Sequence, residues 1–83
     1  MGWKDLPESV RNRIYKTYTV AKKYQNKKLH TEEERTWLHT TFKGYLAGLQ
    51  DVGLIDQGYA DSMLKKLNSF MSGADKFYSR TQQ

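Results

Sequence analysis

Apolar residues recur through the first third of the chain at the spacing of an amphipathic α-helix. At about 100° per residue, five side chains fall on one arc: Val10, Ile14, Tyr18, Ala21 and Tyr24. Thr17 is the polar member of this arc, and its hydroxyl is expected to bond back to a carbonyl of the preceding turn. Pro7 suits a first helical turn, where its missing N–H needs no partner. The pattern predicts a first helix over residues 7–27.

The second helix has the clearest start signal. Thr31 and Glu34 form the sequence of a capping box, in which each side chain accepts the other residue's amide. The apolar face that follows comprises Leu38, Phe42, Tyr45, Leu46, Leu49 and Val52. Gly53 suits the left-handed position that ends a helix. A second helix is therefore predicted over residues 32–52.

The third helix is predicted over residues 57–79, with Asp56 as its N-cap. Its inner face would comprise Ala60, Met63, Leu64, Leu67, Met71, Ala74 and Tyr78, with Phe70 and Phe77 on one flank. Ser72-Gly73 is its weak point, because glycine in a helix interior costs about 1 kcal/mol relative to alanine. A break there, followed by a short fourth helix, is the alternative.

Three amphipathic helices joined by short links predict an all-α fold, a compact antiparallel bundle that forms one domain over residues 1–83. A chain of 83 residues without cysteine has a thin core and no disulfide to reinforce it. Its apolar runs are too short to span a membrane, so no membrane association is expected. The first residues lack the apolar core of a secretory signal, and a cytoplasmic location is therefore expected.

Residues that could support catalysis are scarce in this sequence. There is no cysteine nucleophile, and the two histidines, His30 and His39, have no nucleophile or orienting carboxylate at a characteristic spacing. No metal-ligand motif or glycine-rich phosphate loop occurs. We therefore expect a protein that is not an enzyme and needs neither a metal nor a cofactor.

Positive charge is concentrated at the start of the chain. Residues 1–30 hold eight basic and two acidic side chains, whereas residues 31–83 hold six basic and seven acidic ones. The candidates for contact with nucleic-acid phosphates are Arg11, Arg13, Lys16, Lys22, Lys23, Lys27 and Lys28. An alternative interpretation is that the lysines at the end of the first helix complement its dipole.

Two aromatic features stand out as candidate protein contacts. Gly44 and Gly48 share a helix face with Trp37 and Thr41, and small residues there would let another helix approach closely. That helix could belong to the same chain, or to a partner or second copy. Trp3, outside the first helix, would either cover the end of the bundle or anchor a partner.

The first functional hypothesis is a small accessory or regulatory protein that binds another protein, with Trp3, Tyr15, Trp37, Thr41, Gly44 and Gly48 as contacts. A homodimer is a variant of this hypothesis. The second hypothesis is a nucleic-acid-binding module that uses the basic first helix largely without reading sequence. A helix-turn-helix at Gly53 is disfavoured, because Asp56 and Asp61 of the following helix would face the phosphates.

Overall fold

The computed structural model describes residues 2–72. This part of the chain contains a short 3-10 helix at Trp3–Asp5 and three α-helices: α1 (Glu8–Lys23), α2 (Glu32–Asp51) and α3 (Gln57–Ser72). No strand occurs within it, and the prediction of an all-α bundle is confirmed. The predicted continuation of the third helix to residue 79, its break at Gly73, and the core positions Ala74, Phe77 and Tyr78 lie outside the described residues. No helix between residues 2 and 72 combines the length and apolar character needed to cross a membrane.

The third helix is the centre of the bundle. It packs along both α1 and α2, whereas α1 and α2 meet each other over a much shorter stretch. The start of α2 lies beside the end of α3, where His39 Nδ1 is 2.9 Å from Asn68 Oδ1. Gln50 near the end of α2 likewise donates to Gln57 at the start of α3, at 3.0 Å. These two helices are therefore antiparallel, and α1 contacts α2 much less than it contacts α3.

The core follows the predicted apolar faces closely. Its buried members are Leu6, Ile14, Ala21, Leu38, Phe42, Leu46, Leu49, Ile55, Ala60, Met63, Leu67 and Met71. Leu6 and Ile55 were not predicted as core residues, because they lie in connections rather than on a helical stripe. Val52 was predicted as core, but its side chain is 72% exposed.

The exposure of Val52 results from the way α2 ends. Gly53 adopts a left-handed conformation with φ of 78°, as predicted. The Leu54 amide then donates to the Leu49 carbonyl at 2.9 Å, and the Gly53 amide donates to the Gln50 carbonyl at 3.0 Å. This Schellman closure turns the chain back towards the core, so Ile55 is buried and Val52 is left outside.

The helix starts agree with the local sequence signals. The Glu34 amide donates to Thr31 Oγ1 at 3.2 Å, and the Thr31 amide donates to Glu34 Oε1 at 2.8 Å, which completes the capping box. The Asp56 carboxylate accepts the Tyr59 amide at 2.8 Å. The Thr17 hydroxyl donates to the Arg13 carbonyl at 2.8 Å. These three predictions are confirmed.

The first helix ends at Lys23, four residues before the predicted end. Asn26 redirects the chain: its side-chain oxygen accepts the Lys28 amide at 3.0 Å, and its carbonyl accepts the amides of Leu29 and His30. This local bonding competes with helix continuation. Lys28, and Lys27 before it, therefore lie in the connection to α2 rather than on α1.

The side chain of Arg35 holds this connection in place. Its guanidinium donates to the carbonyls of Tyr24 at 3.3 Å and His30 at 3.1 Å, and it pairs with Glu32 at 3.2 Å. The rings of Tyr24 and His30 also lie 4.5 Å apart between centroids. One arginine of α2 thus stabilises the turn that leads into it.

Candidate binding grooves on either side of the first helix

A broad groove runs between α1 and α3, and we call it the α1–α3 groove. Its volume is about 640 Å³. The lining residues are Trp3, Tyr15, Tyr18, Thr19, Lys22, Tyr59, Ser62, Met63, Lys66 and Phe70. Half of them are aromatic, two are cationic and none is acidic. The groove therefore offers an apolar surface in a positive electrostatic environment.

Tyr18 lies at the base of this groove and is tied into the core. Its ring packs edge-on against Phe42 and Phe70, with centroid distances of 5.8 and 5.3 Å. Its hydroxyl donates to the Met63 carbonyl at 3.4 Å. Burial, with a smaller contribution from Tyr59, raises the pKa of Tyr18 to about 12. The phenol therefore remains a neutral donor at physiological pH.

Two lysines extend over the aromatic base from opposite sides. Lys22 Nζ of α1 is 4.8 Å from the centroid of the Phe70 ring. Lys66 Nζ of α3 is 5.9 Å from the Tyr18 centroid and 6.0 Å from that of Phe70. Within residues 2–72, neither ammonium group forms an ion pair with a carboxylate. The contacts that they make with the aromatic faces are weak.

The entrance of the groove is formed by aromatic side chains that stay accessible. Tyr15 is 69% exposed, and Trp3 is 39% exposed. The 3-10 helix positions Trp3, because its carbonyl accepts the Leu6 amide at 3.2 Å and Leu6 is buried in the core. Trp3 therefore lines the groove while part of its surface remains open to a partner.

A second groove lies on the other side of α1, and we call it the α1–α2 groove. Its volume is about 410 Å³. The lining residues are Arg13, Lys16, Thr17, Val20, Tyr24, Trp37, Leu38, Thr41, Phe42 and Tyr45. The Arg13 guanidinium lies over the Tyr45 ring, 5.3 Å from its centroid, and Trp37 is 61% exposed. This groove also combines aromatic surface with two cations and no lining carboxylate.

The predicted nucleic-acid contacts do not share one helix face. Arg13 and Lys16 line the α1–α2 groove, whereas Lys22 lines the α1–α3 groove. Lys23 lies at the last turn of α1, beside a shallow depression. Arg11 is half-buried, and its Nε has no hydrogen-bond partner among the described residues. Lys27 and Lys28 lie in the connection beyond α1.

The glycine pair of α2 lies on open surface. A Cβ atom added at Gly44 or Gly48 would meet nothing within 4 Å. The interpretation that these glycines allow close packing against α1 or α3 is therefore wrong, because both point away from the neighbouring helices. Trp37 and Thr41 line the α1–α2 groove, but the two glycines do not.

The structure adds residues to the site that sequence reasoning missed. Tyr59, Lys66 and Phe70 contribute the α3 side of the α1–α3 groove. Their spacing of seven and four residues on one helix was a usable signal, although Phe70 was assigned only to the flank of the core. Tyr45, predicted on the apolar face of α2, is partly buried against the core and also lines the α1–α2 groove.

The two histidines are engaged in local contacts. His30 Nδ1 lies 3.3 Å from a carboxylate oxygen of Glu34, and His39 contacts Asn68. The hydrogen bond from the Thr31 amide, assisted by His30, lowers the pKa of Glu34 below its ordinary value. Among residues 2–72, no group of three His, Cys, Asp or Glu side chains is placed to hold a metal ion.

Comparison with known proteins gives no relative on which to base an assignment: no protein-family model, curated protein or solved structure matches the chain.

Proposed function

We propose that this chain is a small non-enzymatic binding protein that docks a protein partner on the α1–α3 groove. The observation that carries the proposal is the convergence of five aromatic side chains from three elements on one accessible concave surface. Tryptophan and tyrosine are enriched among residues that dominate protein interfaces, because they combine a large contact area with a polar group.

The size of the groove supports a docking role. A volume of about 640 Å³ is enough to bury several side chains of a partner. Tyr18 at its base is already packed against two other rings, so ordering this side chain on binding should cost little conformational entropy. A thin core without disulfides also gives a chain of this size reason to gain stability from a partner.

Site-directed photocrosslinking tests this proposal. A photoreactive phenylalanine derivative in place of Tyr15 should form covalent adducts with a protein in lysate of the native host, with or without nuclease. The same derivative at Lys43, an exposed α2 position outside both grooves, is the matched control and should give no such adduct. Absence of a Tyr15-specific adduct, or loss of the adduct after nuclease treatment, would contradict docking of a protein.

A second candidate function is nucleic-acid binding, and the α1–α2 groove favours it. Arg13 and Lys16 lie in the same groove as the exposed Trp37 ring. Cations that contact phosphates beside an aromatic ring that stacks on a base are the usual components of a single-strand binding surface. The helix dipole accounts for Lys22 and Lys23 in the last turn of α1, but Arg13 and Lys16 lie outside that turn.

Salt dependence tests the second candidate. Binding of a labelled oligothymidine should weaken as salt rises. Replacing Arg13 and Lys16 with glutamine should reduce the magnitude of the slope of the log binding constant against log salt concentration by about 1.4. The matched control is the K43Q/K65Q pair, which removes the same charge from exposed positions outside both grooves and should leave the slope unchanged. No complex at low salt with single-stranded DNA or RNA would exclude this function.

A further inference from the structure

We infer that the partner segment recognised by the α1–α3 groove is acidic and carries one large apolar side chain. This inference rests on the proposed function, and it adds the chemical class of the partner. It is based on two cationic side chains placed above an aromatic base in a groove that no carboxylate of the described chain lines.

Two lysines supply the positive charge of the α1–α3 groove. Lys22 and Lys66 come from different helices, and their ammonium groups lie near the same ring, 4.8 and 6.0 Å from the Phe70 centroid. An exposed cation–π contact is weak, whereas a charge-assisted hydrogen bond to a carboxylate is considerably stronger. A partner carboxylate would therefore form stronger contacts with these ammonium groups than the aromatic rings do in the free protein.

Aromatic side chains supply the apolar surface of the same groove. Trp3, Tyr15 and Tyr59 surround apolar space next to Met63, and both Trp3 and Tyr15 stay partly exposed. An aromatic or leucine side chain inserted there would remove apolar surface of both molecules from water. The charges at the groove would then fix the orientation of the segment that carries the inserted side chain.

A nucleic-acid strand fits this groove less well than an acidic peptide. The Tyr18 and Phe70 rings are packed edge-on against each other, and the two lysines lie over them, so their faces are not free to stack on bases. Carboxylates and one apolar side chain match the available groups more completely.

Fluorescence anisotropy with defined peptides tests the inference. The probe is a labelled short peptide with one central tryptophan flanked on each side by glutamates. Two matched peptides replace either the glutamates with glutamine or the tryptophan with serine. We expect the acidic peptide to bind about tenfold more tightly than its glutamine counterpart, with the difference shrinking as salt rises. Replacement of the tryptophan should also weaken binding about tenfold or more.

Matched lysine variants place the effect in the groove. K22Q/K66Q should lose about tenfold in affinity for the acidic peptide. K23Q/K65Q removes the same charge from neighbouring lysines that do not line the groove, and it should change affinity less than about twofold. Far-UV circular dichroism and thermal unfolding establish that both variants fold.

The outcomes separate the inference from the proposed function. Equal affinity for the glutamine and glutamate peptides, or equal losses in the two lysine pairs, would overturn the acidic preference, while Tyr15 crosslinking would still support docking. Binding of oligothymidine that competes with the peptide and is lost in K22Q/K66Q would also overturn it, in favour of nucleic acid. Failure of every peptide to bind, together with no Tyr15 adduct, would reject the groove as a protein site.

Discussion

The two grooves beside α1 are built from similar side chains but differ in how extensively their two helices pack together. Each combines aromatic surface with two cations and lacks a lining carboxylate. In the α1–α3 groove the helices pack along one another, and buried core residues line both grooves: Met63 lines this one, and Leu38 and Phe42 line the α1–α2 groove. In the α1–α2 groove the helices meet only over a short stretch, and the connection that Arg35 stabilises adjoins one end.

This difference gives the two grooves different structural supports despite their similar surface composition. The base of the α1–α3 groove is held by ring contacts of Tyr18 with Phe42 and Phe70. We expect the α1–α2 groove to depend more on the connection between α1 and α2, because Arg35 supplies the donor for the Tyr24 and His30 carbonyls there. We therefore expect the α1–α3 groove, with its packed aromatic base, to favour a defined apolar side chain, and the α1–α2 groove to favour a ligand held mainly by charge.

The largest expected effect comes from removing the ring shared by the two grooves. Phe42 lines the α1–α2 groove, contacts Tyr18 of the other groove and is nearly fully buried. Phe42→Ala should lower the free energy of unfolding by about 3–5 kcal/mol, measured by urea denaturation. The exposed Trp37, replaced by alanine, should change it by about 0.5 kcal/mol or less. Comparable losses of unfolding free energy in Phe42→Ala and Trp37→Ala would show that Phe42 does not support both grooves.

The next effect tests the dependence of the α1–α2 groove on its connection. Arg35→Gln should cost about 1–3 kcal/mol in unfolding free energy, because the carbonyls of Tyr24 and His30 lose their donor. Amide hydrogen exchange in the Arg35→Gln variant should be accelerated more in residues 24–30 than in α3. Arg13→Gln is the control, since the Arg13 guanidinium stacks on Tyr45 and its loss should cost about 0.5–1 kcal/mol. A larger loss from the Arg13 variant would argue against this role of the connection.

Alkaline pH should affect the α1–α3 groove through Tyr18. Folding raises its pKa to about 12, so the native state holds the proton more tightly than the unfolded chain. This contribution is fully present below the unfolded pKa of about 10 and is lost as pH rises through the folded pKa. Because the ring is half-exposed, solvent screening should limit the effect to about 1 kcal/mol. Thermal unfolding at pH about 9 and about 11 measures it, and Tyr18→Phe should have the smaller pH dependence. An unchanged pH dependence in that variant would contradict the assignment.

The smallest expected effect concerns a face that contributes to neither groove. Gly44→Ala should stabilise the chain by about 0.5–1 kcal/mol, because the added methyl meets no atom and the unfolded chain loses freedom. Gly53→Ala is the contrasting control and should destabilise, since Gly53 has φ of 78°. Peptide binding should be unchanged in Gly44→Ala. A loss of stability, or dissociation of a dimer seen by sedimentation, would instead assign the glycine face to an interface.

Local signals predicted the elements well, and tertiary contacts explain the departures. The Thr31–Glu34 box was predictable because its hydrogen bonds span three residues. Val52 continued the apolar pattern of α2, but the helix ends at Asp51. The turn at Gly53 buries Ile55 and leaves the Val52 side chain exposed. The end of α1 was missed because Asn26 and an arginine from α2 together stabilise a non-helical connection.

What the sequence by itself determined is the set of three amphipathic helices, most of their ends and most of the core, because caps and apolar periodicity act within a few residues. Only the tertiary structure decided which exposed aromatics and cations meet. The limited contact of α1 with α2 placed Trp37 and Arg13 in one groove, and the packing of α1 on α3 placed Lys22 and Lys66 in another. It also left Gly44 on open surface. Such juxtapositions depend on how helices distant in sequence cross, which the periodicity of each helix does not specify.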